Sequence, residues 1–149
     1  MEAGILVQFK DLGLAAVLAF AAMGSALGTG AAGMAAVGAW KKCFAQNKNA
    51  PFILIAFVGA PLTQTIYGMI VMNALAEAAA KGQFLWSAGI LGGIAMGLSA
   101  WMQGKAGAAA SDALAETGKG FGNYLMVLGV IETVALFVMV FILMSVAKL

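Results

Sequence analysis

Residues 123–145 read NYLMVLGVIETVALFVMVFILMS, an apolar run with a single carboxylate, Glu132, near its middle. A run of about 20 apolar residues predicts a helix that spans a membrane. A charged side chain at the centre of a bilayer costs roughly 3 kcal/mol on insertion scales, and by default it marks an ion pathway. Every other charged residue lies outside the long apolar runs. The sequence therefore singles out Glu132 as the candidate ion-binding residue.

The composition of the whole chain excludes a soluble globular domain. Of 149 residues, 63% are hydrophobic and 9% are charged, and the mean hydropathy is +0.99. Soluble domains typically contain about 25% charged residues. Four runs are long enough to cross a membrane. They comprise residues 12–40, 50–76, 83–104 and 120–147. We therefore expect an all-α membrane protein with four transmembrane helices.

The chain also repeats itself, which predicts two helical hairpins in tandem. SALGTGAAG at residues 25–33 aligns with SAWMQGKAG at 99–107, and TQT at 63–65 then aligns with IET at 131–133. In this alignment Gln64 takes the place of Glu132, so the protein has one membrane acid per four helices. Parallel repeats of this kind are familiar in transporters. The expected division is residues 1–80, with helices at about 11–46 and 50–79, and residues 81–149, with helices at about 83–117 and 120–147.

The distribution of lysine predicts the orientation in the membrane. Five lysines lie on the side of the first and third connections, and three lie on the side of the termini and the second connection. Cytoplasmic loops carry the excess of positive charge. We therefore expect a multi-pass protein of the cell membrane with both termini outside and connections 1 and 3 in the cytoplasm. The N-terminus lacks the basic start of a signal peptide, so the first helix is expected to be retained.

Two further motifs indicate no chemistry of their own. Gly28, Gly30 and Gly33 match a dinucleotide-binding pattern, but that pattern requires a preceding strand, and here it lies inside one helical run. Small residues spaced by four, such as Gly24 and Gly28, instead predict close helix packing, either along the inner wall of an oligomer or inside one four-helix bundle. Cys43 is alone, which excludes an internal disulfide. No basic cluster suited to nucleic acid is present.

Polar side chains in the second and third helices give Glu132 its predicted partners. Pro61 is followed within the apolar run by Thr63, Gln64 and Tyr67, which share a helix face. With Gln103 at the same depth, these residues surround one carboxylate with neutral oxygens. Such a set suits a hard cation, and one negative charge matches a monovalent ion. The alternative is interhelical hydrogen bonding that serves packing alone.

A monovalent site of this kind also predicts how the ion moves. The occupied site is neutral and can face lipid, whereas the empty site is anionic and should avoid it. Sites therefore enter the bilayer loaded, and they empty next to water or a counter-charge. Moving one charge across a membrane is worth about 2.3 kcal/mol per 100 mV, so a device that moves many charges needs many sites. This favours a ring of identical subunits.

At these residues the chain resembles a known family. The segments PLTQTIYG (61–68), QGK (103–105) and IET (131–133), on two tandem hairpins, resemble the proteolipid of the membrane rotor ring of V-type ATPases. This is the K or c subunit of bacterial sodium-translocating enzymes, and the resemblance covers essentially the whole chain. It implies a closed homo-oligomeric ring that turns against a stator subunit with an essential Arg. A central stalk would couple rotation to ATP hydrolysis or synthesis in a soluble head.

The resemblance also implies a ligand set for Na⁺. The implied ligands are the side-chain oxygens of Thr63, Gln64, Gln103 and Glu132 and the backbone carbonyl of Ala60. A tyrosine at the position of Tyr67 would hydrogen-bond the carboxylate. The chain departs from the sodium-type pattern at Leu62, where that pattern has a small residue. Proton-type relatives keep the acid but generally lack the full oxygen set, so Na⁺ is the expected ion and H⁺ the alternative.

Two more distant functions are open from the residues alone. A small four-helix exporter could exchange protons on a membrane Glu for a cationic drug, but it would need room and aromatic lining at the carboxylate. A purely structural membrane protein would not explain polar groups at matching depth in three helices. No nucleotide-binding loop or nucleophile pair is present, so the chain is expected to be a non-catalytic subunit.

Overall fold

The computed structural model describes residues 12–148, and it is helical throughout that range apart from short connections. The helices are α1 (Leu12–Ala45), α2 (Phe52–Ala80), α3 (Trp86–Thr117) and α4 (Phe121–Val146). The expected helix bounds agree with these to within a few residues. The expected start of the first helix, at about residue 11, and the N-terminal segment before it lie outside the described residues.

Helix α2 changes geometry at Pro61, because proline has no N–H with which to continue the hydrogen-bond ladder. A 3₁₀ turn at Ala60–Leu62 separates the α-helical segments Ile55–Gly59 and Thr63–Ala80. No side chain caps the start of Thr63–Ala80. The tighter turn lies immediately before the polar residues predicted to form the site.

Glycines allow α1 and α3 to pack backbone to backbone. A Cβ atom on Gly24 would overlap the backbone of Gly97, and a Cβ on Gly104 would overlap the backbone of Gly28. The two helices run parallel and share the most extensive contact between any two helices of the described bundle. Small residues permit this approach in membrane proteins, where dispersion contacts and hydrogen bonds rather than water drive helix association. The close packing predicted for Gly24 and Gly28 is thus found inside the bundle, and their place on the inner wall of an oligomer stays a prediction.

The first and third connections lie at the same end of the bundle. Near the end of α1, Lys42 Nζ lies 3.2 Å from Asp112 Oδ1 and 3.3 Å from Glu116 Oε1, both near the end of α3. The third connection turns sharply, with Gly118 at φ +67° and Gly120 at φ +91°. Residues with a side chain rarely adopt these conformations. The chain can therefore reverse within three residues and pack α4 beside α3.

Two apolar clusters occupy the two ends of the bundle, and a polar layer lies between them. The first cluster includes Phe57 and Leu128, and the second includes Val71, Met96 and Ala135. Along α2, α3 and α4, the polar residues fall between the members of these two clusters. The polar layer therefore lies away from both ends of the bundle.

Among the helices of residues 12–148, three are long and apolar enough to cross a membrane: α1, α2 and α4. The fourth expected span, in α3, is not among them. Its glycines, Ser99, Ser111 and Gln103 lower its apolar character, and these are residues that it buries against the other helices. Since the neighbours of α3 cover its polar groups, low apolarity does not prevent this helix from lying within a membrane bundle. Its membrane crossing stays a prediction.

We expect Gly24→Ala to destabilise the bundle by about 1–3 kcal/mol or more, because the new methyl group would overlap the backbone of Gly97. Gly38→Ala in the same helix is the matched control, since a Cβ there has no neighbour within 4 Å. Thermal unfolding of the purified protein in detergent, followed by tryptophan fluorescence, measures the difference. Equal melting temperatures for the two variants would contradict the backbone contact.

Candidate ion-binding site

Gln103 lies at the centre of the polar layer and connects α2, α3 and α4. Its side chain is fully buried, and its Oε1 accepts a 2.8 Å hydrogen bond from Gln64 Nε2. Its Nε2 donates to the backbone carbonyl of Leu128 at 3.0 Å and to Glu132 Oε2 at 3.2 Å. The amide is thus bonded through both of its polar atoms, which fixes its nitrogen towards Glu132.

The carboxylate of Glu132 accepts a different donor on each oxygen. Tyr67 Oη donates to Oε1 at 2.8 Å, and Gln103 Nε2 donates to Oε2. Hydrogen bonds to an ionised group are roughly twice as strong as neutral ones. The two donors come from α2 and α3, so they orient the side chain of α4 with respect to both neighbouring helices. Glu132 itself is partly buried.

Around the 3₁₀ turn of α2, Thr63 connects the backbone to the amide of Gln64. Thr63 Oγ1 lies 3.1 Å from the carbonyl oxygen of Ala60 and 3.1 Å from Gln64 Oε1. Gln64 is fully buried. The oxygens of these three residues therefore lie together at the N-terminal end of the Thr63–Ala80 segment. Through Gln64 Nε2 they connect directly to Gln103.

The six residues predicted for the site are thus brought together by hydrogen bonds and by the close contact of Thr63 Oγ1 with two acceptor oxygens. They are Ala60, Thr63, Gln64, Tyr67, Gln103 and Glu132. The position at which the chain departs from the sodium-type pattern, Leu62, is 51% exposed. This larger residue therefore points away from the polar layer and does not crowd it.

The carboxylate has no positive partner within the described part of the chain. The ion pairs found among residues 12–148 all involve Lys42, at the end of the bundle. An uncompensated carboxylate in an apolar environment is costly. Two hydrogen-bond donors offset part of this cost, and a bound cation would offset the rest. The surrounding oxygens of Thr63, Gln64 and Ala60 are neutral, so a single positive charge would balance the site.

The structure adds two participants that the sequence did not single out. Ser99 Oγ donates to the carbonyl of Ile131 at 2.9 Å, one residue before Glu132, and the carbonyl of Leu128 accepts from Gln103. Ser99 lies four residues before Gln103, so helical spacing could have placed both on one face. The carbonyl of Leu128 carries no such signal, because every residue has a carbonyl group.

Comparison with known families finds a match in the second hairpin. Residues 86–145 match the model of a family described as the C subunit of ATP synthase. The match covers α3 and α4 and includes Gln103 and Glu132. The match covers less than half of the chain, and it supports an ion-carrying subunit of the membrane ring of an ATPase. No curated protein matches the chain.

We expect Tyr67→Phe to lower the free energy of unfolding by about 1–3 kcal/mol, because the carboxylate of Glu132 loses one of its two donors. Tyr124→Phe is the matched control, since the ring of Tyr124 packs on Phe57 and that contact is kept. Chemical unfolding of the purified protein compares the two variants. An effect of Tyr124→Phe as large as that of Tyr67→Phe would show that the hydrogen bond to Glu132 contributes nothing.

Proposed function

We propose that this protein is the ion-carrying subunit of the rotor ring of a V-type ATPase and that it binds one Na⁺ at Glu132. The observation that carries the proposal is the single carboxylate connected through two hydrogen-bonded amides to neutral oxygens within an apolar bundle. The match of the second hairpin to the C subunit of ATP synthase supports the ring assignment. The choice of Na⁺ over H⁺ rests on the resemblance to the sodium-type pattern, whose full set of oxygens this chain carries.

The ion ligands in this proposal are five oxygens from three helices. They belong to the side chains of Thr63, Gln64, Gln103 and Glu132 and to the carbonyl of Ala60. A carbonyl or amide oxygen has two lone pairs, so it can accept a hydrogen bond and still bind a cation. A cation can therefore share these oxygens without breaking the hydrogen bonds that orient them. Tyr67 stays on Glu132 and holds its carboxylate in place.

The charge of the site would then couple binding to rotation. With Na⁺ bound, the site has no net charge and can pass through lipid. Without Na⁺, the charged carboxylate is unfavourable in lipid, and its free energy falls only when it lies next to water or a positive group. An essential Arg on a stator subunit would supply that group. Each subunit would therefore bind and release one Na⁺ per rotation of the ring. The central stalk would couple this rotation to ATP hydrolysis or synthesis in a soluble head.

The orientation in this proposal follows the lysines. Connections 1 and 3, with the ion pairs of Lys42, would face the cytoplasm. The termini would lie on the outer side of the cell membrane. The ion pairs between the ends of α1 and α3 place the first and third connections at one end of the bundle, as this orientation requires. The cytoplasmic connections would then be the contact surface for the central stalk.

A carbodiimide that reacts with protonated carboxyl groups tests the ion directly. We expect Na⁺ to protect Glu132 in the purified oligomer, because a bound cation excludes the proton that the reagent requires. Protection should weaken as the pH falls, since protons then compete with Na⁺ for the same carboxylate. The labelled fraction of Glu132, measured by mass spectrometry with and without Na⁺ at several pH values, gives the result.

The same experiment separates the alternatives. Labelling that depends on pH and ignores Na⁺ would make Glu132 a proton carrier, with Thr63, Gln64 and Gln103 serving only its hydrogen bonding. A native gel distinguishes the exporter, which should run as a dimer, from a ring of many subunits. A purely structural protein would show no protection of Glu132 by any cation.

Glu132→Gln should assemble normally and abolish ion transport, because the amide has nearly the same shape but no charge to balance a cation. Glu77→Gln is the control, since Glu77 lies near the end of α2 outside the polar layer. Transport is measured with the variant ring assembled in the whole ATPase in vesicles. Near-normal transport by Glu132→Gln would refute the central role of this carboxylate.

A further inference from the structure

Two hydroxyl groups on α1 are buried in the bundle without a hydrogen-bond partner. They are Ser25 Oγ and Thr29 Oγ1, and Ser25 is only 2% exposed. Buried hydroxyls in helices usually donate to the carbonyl one turn earlier. Ser111 does this in α3, donating to the carbonyl of Gly107 at 2.9 Å. Since buried polar groups are rarely left unpaired, the two hydroxyls of α1 require a partner of another kind.

The register between α1 and α2 places Ser25 opposite Gln64. A Cβ atom on Gly68 would lie 2.7 Å from Ala21 Cβ, and a Cβ on Gly28 would lie 2.9 Å from Pro61 Cβ. The helices are antiparallel, so each residue after Ala21 in α1 lies level with a residue before Gly68 in α2. Ser25 then lies level with Gln64, between these two contacts.

Helical spacing shows that both side chains face this interface. Ser25 lies four residues after Ala21 and three before Gly28, and all three positions share one face of α1. Gln64 lies three residues after Pro61 and four before Gly68, on the corresponding face of α2. Thr29 lies one turn beyond Ser25, so its hydroxyl borders the same space.

The amide of Gln64 has one N–H group that is not yet hydrogen-bonded and that can donate to a partner in this space. Its Oε1 lies against Thr63 Oγ1, and one N–H of its Nε2 donates to Gln103 Oε1. A carboxamide nitrogen carries two N–H groups. The second N–H is therefore available on a fully buried side chain. The register of the two helices places Ser25 level with that side chain across the interface.

We propose that Ser25 and Thr29 bind one buried water molecule between α1 and α2, and that this water accepts the second N–H of Gln64. Buried waters typically make about three hydrogen bonds to groups that are otherwise unsatisfied, and these three residues supply three. The proposal rests on the proposed function, since its effect is on the Na⁺ ligand Gln64. Ser25 and Thr29 are positioning residues: neither is a ligand in the proposed set, and both act through the orientation of one amide.

The water gives the Gln64 amide a preferred direction. With its nitrogen held by the water and by Gln103, its oxygen must face Thr63 and the ion. A flipped amide would direct N–H groups at the cation and leave its oxygen facing the amide oxygen of Gln103. The hydroxyls of α1 would therefore favour the ion-binding orientation before the ion arrives, which raises affinity because less ordering is needed on binding.

Paired substitutions at Thr29 test this proposal with a nearly constant shape. Thr29→Val removes the hydroxyl and keeps the volume, whereas Thr29→Ser keeps the hydroxyl. Ser25→Ala removes the second hydroxyl, and Ser111→Ala is a control for loss of a hydroxyl that is already bonded to its own helix. The apparent affinity for Na⁺ is taken from protection of Glu132 against carbodiimide in the purified oligomer. Melting temperature and native-gel mobility are measured on the same samples.

We expect Thr29→Val and Ser25→Ala each to weaken Na⁺ protection by roughly tenfold, the scale of one net hydrogen bond. Thr29→Ser and Ser111→Ala should bind Na⁺ as the unmodified protein does, and all four variants should assemble. A structure of the Na⁺-bound oligomer should show one water in contact with Ser25, Thr29 and Gln64.

Two results would overturn the inference, and they differ from failure of the proposed function. Unchanged Na⁺ affinity in Thr29→Val and Ser25→Ala, with normal protection of the unmodified protein, refutes the role of the hydroxyls alone. The role of the hydroxyls is also refuted if a structure of the Na⁺-bound oligomer has no water between α1 and α2 and the two hydroxyls donate to carbonyls of α1. If Na⁺ does not protect Glu132 even in the unmodified protein, the sodium site and this inference fail together.

Discussion

The carboxamide of Gln103 is the point at which three of the four helices are joined by hydrogen bonds. It accepts from α2, and it donates both to the backbone and to the carboxylate of α4. A fully buried amide can be satisfied only if each of its partners is held at the correct depth and rotation. The packing of α1 on α3 through glycine, and the 3₁₀ turn in α2, supply those constraints. The position of the carboxylate of Glu132 thus follows from the backbone contacts around it.

Much of this arrangement could be predicted from the sequence, because the signals are strong and local. Long apolar runs predicted the helices, and polar residues at matching depth predicted which polar side chains lie together in the bundle. The partners within the site were harder to foresee. The hydrogen bond from Gln103 to the carbonyl of Leu128 depends on a backbone group, and the unpartnered state of Ser25 depends on the register of α1 against α2. The identity of a residue predicts neither the register of two helices nor which backbone carbonyl accepts a hydrogen bond.

The two halves of the sequence repeat place their equivalent polar residues on the same side chain of the bundle. Gln64 and Glu132 occupy equivalent positions in the two hairpins, and in the structure both contact the same amide, Gln103. The amide in the first hairpin contributes an oxygen and N–H groups without a charge. A second carboxylate at this position would place two like charges around one amide, which raises the cost of burying the site. One acid per four helices is therefore compatible with a tightly packed polar layer.

Helix α4 carries the carboxylate and is also the least covered of the helices that could span a membrane. Large apolar side chains on either side of Glu132 are exposed, including Val130 at 65% and Val134 at 53%. Whatever medium lies against this surface therefore forms one wall of the polar layer. Hydrocarbon there would lower the local dielectric constant and strengthen every interaction of the carboxylate, whereas water would weaken them. The surface of α4 thus makes the strength of the site depend on the neighbour that it faces, whether lipid, a second copy of the chain or an aqueous channel.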